Sequence, residues 1–162
     1  MSTRATRTTR SMTGITISEH ASKEFSFCDP EKKFKEFATD LVTEEAGAWE
    51  EYADGVAFLI ARANNKKYNR LMTKAFEKNK RLIDAKNDAS EAKAEEIIID
   101  TAARALLLGW RGDLLWNGEP LEYSVENAKT MLAVKDFRRW VFERAEDIDR
   151  FKAVQKDADT GK

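Results

Sequence analysis

The chain has 162 residues, of which 42% are hydrophobic and 35% are charged, and its 28 Lys and Arg against 29 Asp and Glu leave a formal net charge of −1. This length suits a single domain with a sizeable core, and the near balance of charge argues against a nucleic-acid-binding protein, which usually has a basic excess. The single cysteine, Cys28, cannot form an internal disulfide, and this fits a reducing compartment. Neither a membrane-spanning apolar run nor a secretory signal is apparent, so we expect a cytosolic protein with no membrane partner.

The first segment, residues 1–22, is rich in Ser and Thr and carries Arg4, Arg7 and Arg10 with no acidic residue before Glu19. It has too few bulky apolar residues to offset the entropy lost on ordering, so we predict a flexible basic tail. One alternative is a basic arm that becomes ordered against an acidic partner, and another is a transit peptide.

The first predicted helix begins at Asp29 and Pro30, because Asp is a good N-cap and Pro suits the first helical position. Gly47 is its predicted end. Apolar residues at spacings of three and four follow the cap and predict one buried face: Phe34, Phe37 and Leu41.

A β-hairpin is predicted over residues 48–61. Asp54 and Gly55 stand between two strand-like runs, and an Asp-Gly pair favours the positive φ angles of a tight hairpin turn. Two strands alone are only marginally stable. The hairpin must therefore pack on helices or pair with strands of another copy.

Two longer helices are predicted next. One begins at Asn64 and Asn65 and runs to Ile83. The other begins at Asp88, where Glu91 has capping-box spacing, and it continues through Leu108 to a C-cap at Gly109. Its apolar triplets, 97–99 and 106–108, cover more than one side, which predicts a central helix.

A loop is predicted over residues 110–120, followed by two shorter helices capped by Ser124 and Asp136. The last helix carries an apolar stripe of Phe137, Trp140, Val141, Ile148 and Phe151.

These elements together predict a mainly α fold of about five helices with one β-hairpin at about 48–61. We expect one helical domain over residues 23–156, with a polar C-terminal tail at 157–162.

The sequence contains few residues that are suited to catalysis. His20 is the only histidine and falls in the predicted tail, and Cys28 has no other histidine to activate it. The acidic pairs at 44–45 and 95–96 are adjacent, so their side chains splay around a helix. One His and one Cys cannot make a zinc site, and no phosphate-binding glycine loop is present. We therefore predict no catalytic residue, no cofactor and no metal.

Two segments are candidates for binding a partner. Trp and Tyr side chains in loops are favoured binding anchors, although the two indoles of the 110–120 loop also fit a role as core plugs. The free edges of the hairpin are a second candidate, since they are able to pair with a partner strand. The candidate residues are Trp110, Leu114, Leu115, Trp116 and Tyr123 in the first segment, and Trp49 and Tyr52 in the second.

Residues 44–152 resemble the tail assembly chaperones of long-tailed bacteriophages in their pattern of hydrophobic, turn and aromatic positions. A helix with Phe137 and Val141 completes the pattern. The runs that carry the resemblance are 45–52, 58–68, 105–110 and 118–128.

The resemblance implies a non-enzymatic protein of the infected host's cytoplasm that binds the tape measure protein, keeps it soluble and helps recruit the tail tube protein. It implies several copies on the client, or a homo-oligomer, and absence from the mature virion. Two alternatives are a permanent tail or connector subunit and a small helical regulatory or DNA-associated protein. The charge balance makes us expect no nucleic-acid partner.

Overall fold

A computed structural model describes residues 37–152 of the chain. The predicted tails at 1–22 and 157–162, the helix start at Asp29 and Pro30, and both His20 and Cys28 lie outside these residues.

The first described helix, α1 (Leu41–Ala46), begins later than the sequence predicts. The carboxylate of Asp40 accepts hydrogen bonds from the backbone N–H groups of Val42 and Thr43, at 3.2 and 3.3 Å, and so caps the helix. Residue 37 is not helical and is exposed, so the predicted shared face of Phe37 and Leu41 is wrong. The predicted end at Gly47 is confirmed.

The predicted hairpin is confirmed as β1 (Ala48–Ala53) and β2 (Val56–Ile60), which pair antiparallel. Asp54 and Gly55 adopt φ angles of 49° and 80°, as the tight turn requires.

The helical segment after the hairpin is in two parts, α2 (Lys66–Lys78) and α3 (Lys80–Ile83). Asn65 caps α2, as predicted. The predicted single helix is interrupted at Asn79, whose side-chain amide donates to the carbonyl of Ala75 at 2.7 Å.

The central helix, α4 (Asp88–Ala105), begins with a capping box, but its members are Asn87 and Ser90 and not the predicted Asp88 and Glu91. The Ser90 hydroxyl also donates to the carbonyl of Leu82 at 2.6 Å, and this bond ties the start of α4 to α3.

The central helix α4 ends at Ala105, earlier than predicted, and a strand, β3 (Leu107–Arg111), follows it. The β3 strand pairs antiparallel with β2, giving a three-stranded sheet in the order β1-β2-β3. Gly109, the predicted C-cap, lies inside β3 opposite Leu59. An apolar run as short as 106–108 has no distinct period, and tertiary pairing with β2 decides its conformation.

The 110–120 segment contains a second small sheet, formed by β4 (Leu115–Trp116) and β5 (Glu119–Pro120). Helices α5 (Val125–Leu132) and α6 (Lys135–Glu146) follow, and a 3₁₀ helix spans Ile148–Phe151.

Ser124 caps α5 as predicted, but α6 begins before Asp136 and has no side-chain cap. The predicted stripe from Phe137 to Phe151 is therefore divided between α6 and the 3₁₀ helix.

The fold of residues 37–152 is thus mixed α/β, with two antiparallel sheets, and the predicted mainly α fold with one hairpin is wrong. Residues of the sheet, of α2, of α4 to α6 and of the 3₁₀ helix form the core. Its largest fully buried side chains are Phe58, Phe151, Ile60, Leu106, Leu107, Leu132, Val141 and Thr101.

An ionic cluster fixes the C-terminal elements to β1. The Glu50 carboxylate lies 3.1 Å from Nε of Arg144 and 3.2 Å from a guanidinium nitrogen of Arg150. Arg150 also donates to the carbonyl of Ala48 at 3.3 Å. Burial lowers the pKa of Arg150, partly offset by the Glu50 charge. Within residues 37–152 the Nε of Arg144 has no hydrogen-bond partner, and its contact with Glu50 is an ion pair.

Candidate protein-binding groove

An open cleft of about 540 Å³ lies beside β3 and is the candidate functional site, which we call the groove. Four of the seven predicted anchor residues line it. The lining residues are Trp110, Gly112, Asp113, Leu114, Leu115, Pro120, Leu121, Glu122 and Tyr123.

The wall of the groove is built by the β4-β5 hairpin. Asn117 and Gly118 form its turn with φ angles of 53° and 85°, and Leu115 pairs with Pro120. The N–H of Leu121 donates to the carbonyl of Leu114 at 2.9 Å and closes the base of the hairpin. The two leucines at 114 and 115 are therefore held on an ordered hairpin.

The floor of the groove is formed by Trp110, which is fixed by two kinds of contact. Its indole N–H donates to the carbonyl of Leu121 at 2.7 Å. Its ring meets Tyr123 edge to face at 5.0 Å and approaches Phe58 at 6.3 Å. Trp110 is half-buried, so its ring both packs against the core and lines the groove.

Two of the predicted anchors in the groove are exposed to solvent. Leu115 is 58% exposed and Tyr123 is 39% exposed. The Tyr123 hydroxyl donates to the carbonyl of Leu107 at 3.1 Å, which orients the ring. Burial raises the pKa of this phenol, which further favours the protonated, donating form of the hydroxyl.

The charge of the groove has one sign. Asp113 and Glu122 are its only charged lining residues, and both are acidic and exposed. An apolar cleft with an acidic rim favours a partner that carries an apolar anchor next to Lys or Arg.

The other three predicted anchors lie elsewhere. Trp116 is half-buried against the core and does not line the groove. Tyr52 packs against Phe58 at 5.7 Å and against Trp140 at 5.1 Å, on the sheet face covered by α6. Trp49 lies on the opposite face of the sheet.

Trp49 is 45% exposed, and the guanidinium of Arg111 lies 4.6 Å above its ring. Arg111 also pairs with Glu51 at 2.9 Å. Because Glu51 and Arg111 both stand opposite Ala57 in the sheet register, this ion pair bridges β1 and β3 across β2, and Ala57 is fully buried beneath it.

The sequence did not predict five of the residues that line the groove, Gly112, Asp113, Pro120, Leu121 and Glu122. The signal for the hairpin that positions them is the Asn117-Gly118 dipeptide, which is a strong hairpin turn between strand-like residues.

Within the described part of the chain, no cluster of three or more His, Cys, Asp or Glu side chains is arranged to hold a metal ion. No helix among residues 37–152 has the length and apolar character needed to cross a bilayer.

Residues 63–162 match a protein family described as YdaY prophage protein. The match covers more than half of the chain, so the chain belongs to the YdaY prophage protein family and is of phage origin. Neither a curated protein nor a solved structure shows significant similarity to it.

Proposed function

We propose that this phage protein is a tail assembly chaperone that binds the tape measure protein through the groove and promotes assembly of the tail tube protein around it. The observation that carries the proposal is the apolar, acid-rimmed groove with Leu115 and Tyr123 open to solvent. The phage origin of the family and the resemblance over residues 44–152 support it.

The groove suits a helical client better than a small molecule. It is open along one side, and its apolar anchors project from an ordered hairpin, as expected for a surface that receives the apolar side chains of another polypeptide. The acidic rim of Asp113 and Glu122 would pair with Lys or Arg flanking those side chains.

On this proposal the protein acts in the cytoplasm of the infected host, without catalysis or a cofactor, and in several copies per client. It leaves before the virion is complete. Mass spectrometry of purified virions tests this last point, since peptides of the chain at stoichiometric levels would identify a permanent tail subunit instead.

The decisive test is co-expression with the tape measure protein of the same phage. We expect the wild-type chain to raise the soluble fraction of the client, and Leu115→Glu to abolish the effect, because a carboxylate there removes an apolar anchor and adds repulsion. The matched control is Leu41→Glu, which changes a leucine that is 74% exposed outside the groove. Equal client precipitation with and without the wild-type chain would refute the chaperone function.

A further inference from the structure

The positive charge of the described residues is concentrated on α2 and α3. From Lys66 to Ile83 the sequence has seven Lys or Arg and a single acidic residue, Glu77. Four of these cations recur at spacings of three and four within α2 and so lie along one side of that helix, and Arg81 continues the same spacing in α3. We call this set the basic stripe; it consists of Lys67, Arg70, Lys74, Lys78 and Arg81.

The cations of the basic stripe are exposed and unpaired within residues 37–152. Among the described residues, the one ion pair of this segment joins Lys80 to Asp84 at 3.0 Å, and Lys80 is not part of the stripe. Glu45 lines a shallow depression together with Lys67 and Arg70, but it forms no ion pair with either.

The opposite side of α2 is anchored in the protein. Tyr68 is buried in the core, and Leu71 and Met72 pack partly buried against it. Asn65, itself buried, caps the helix and also donates to the carbonyl of Ala105 at 3.1 Å. The cations are therefore presented to solvent by a helix whose position is fixed.

The composition of this face favours a polyanion over a protein surface. Every exposed residue of α2 is polar, whereas the centres of protein interfaces are depleted in Lys and enriched in aromatic and apolar anchors. Nucleic-acid interfaces are much more positively charged. Single strands are held largely by stacking on aromatic rings, and no exposed aromatic residue lies on α2, since Tyr68 is buried and Phe76 is half-buried.

We propose that the basic stripe binds the sugar–phosphate backbone of double-stranded DNA without sequence specificity. The stripe from Lys67 to Lys78 is roughly 16 Å long at the helical rise per residue. This spans about five phosphates of one strand at their axial spacing in B-DNA. The near-zero net charge of the whole chain does not reveal this local excess of positive charge, because acidic residues elsewhere balance it.

The test is fluorescence anisotropy of the full chain with labelled 20-base-pair duplexes of two unrelated sequences. We expect equal affinity for both, and a plot of log K against log salt with a slope of about −3 to −5, as release of counterions from four or five phosphates requires. The single strands and a polyglutamate of the same charge should bind more weakly.

The informative variant is Arg70→Glu/Lys74→Glu, which should weaken duplex binding by at least about tenfold at low salt. The matched control is Lys135→Glu/Arg139→Glu, which makes the same charge change on exposed residues of α6 and should bind like wild type. Circular dichroism checks that both variants keep their helices.

Three results would overturn the proposal. They are absence of duplex binding at low salt, an equal loss in both double variants, and polyglutamate binding as tight as that of the duplex. The last would identify an acidic polypeptide as the occupant. Leu115→Glu leaves the basic stripe intact, so it should not change duplex affinity. Client binding by the groove and DNA binding by the basic stripe can therefore be refuted independently of each other.

Discussion

Two groups of aromatic residues contact Phe58, and they differ in how far other elements shield them from solvent. On one side Tyr52, Phe137 and Trp140 surround its ring at centroid distances of 5.2 to 5.7 Å, and Phe58 is 1% exposed. On the other side Trp110 contacts Phe58 and also Tyr123 in the groove. This side is covered only by the β4-β5 hairpin, whose strands have two residues each. The same residue types therefore enclose Phe58 under α6, where Tyr52 at the margin is itself 57% exposed, and form an open surface beside β3.

This difference separates stability from recognition. Burial and ring packing around Phe58 should contribute several kcal/mol to folding, whereas a side chain that stays exposed contributes little to it. Substitutions in the packing around Phe58 should therefore lower stability. Substitutions of exposed residues in the groove should weaken client binding and leave stability almost unchanged.

The largest effect is expected at Phe58, whose ring is buried under α6. Phe58→Ala should lower the free energy of unfolding by about 3–5 kcal/mol, because it removes buried surface and leaves a cavity. Urea denaturation followed by circular dichroism measures this change. Leu115→Ala, on the groove, should stay within about 0.5 kcal/mol of wild type; similar losses for the two would mean that the groove leucine is a core residue.

An intermediate effect is expected where the groove meets the sheet. Gly112 has a φ of 96°, and a Cβ there would collide with the carbonyl of Gly55 in the β1-β2 turn. Gly112→Ala should therefore cost about 2–4 kcal/mol, from the positive φ together with the collision.

The matched variant for that prediction is Gly118→Ala. Gly118 has a φ of 85° and open space around it, so only the backbone cost of about 1–2 kcal/mol applies. Thermal unfolding of both variants compares them, and equal losses would show that the Gly112 loop is free to move away from the sheet.

The smallest effect concerns the outer face of the sheet. A double-mutant cycle on Glu51 and Arg111, with each changed to Ala, should give a coupling of about 0.2–1 kcal/mol, since both side chains are more than half exposed. The coupling should fall in 1 M NaCl as the charges are screened. A coupling that is independent of salt would contradict an ionic contact.

Four of the local turn and cap signals are confirmed, whereas the caps predicted at Asp88, Gly109 and Asp136 are wrong. Asp54-Gly55, Asn65, Gly47 and Ser124 each act as their residue types indicate, because these features depend on a few neighbouring residues.

The third strand was not predicted, because Leu107–Arg111 pairs with residues about fifty positions earlier. One clue was present in β2, whose run Val56–Ile60 is apolar at every position. A continuous apolar run is typical of a strand buried on both faces, and such a strand needs a neighbour on each side.

The groove was predicted only in part, for the same reason. The anchors at 110, 114, 115 and 123 were chosen by residue type, and the hairpin that brings them together depends on the turn at Asn117 and Gly118. Trp49 and Tyr52 share that residue type, but the period of β1 places them on opposite faces of the sheet.

The position of β3 in the sequence has a consequence for how the chain folds. Phe58 and Trp110 are paired across β2 and β3, yet α2, α3 and α4 lie between them. The β1-β2 hairpin and the helices can form from contacts between near neighbours, whereas closing the sheet must bring together segments separated by a long loop. We therefore expect docking of β3 to be the slow step, with the edge of β2 transiently unprotected until it occurs.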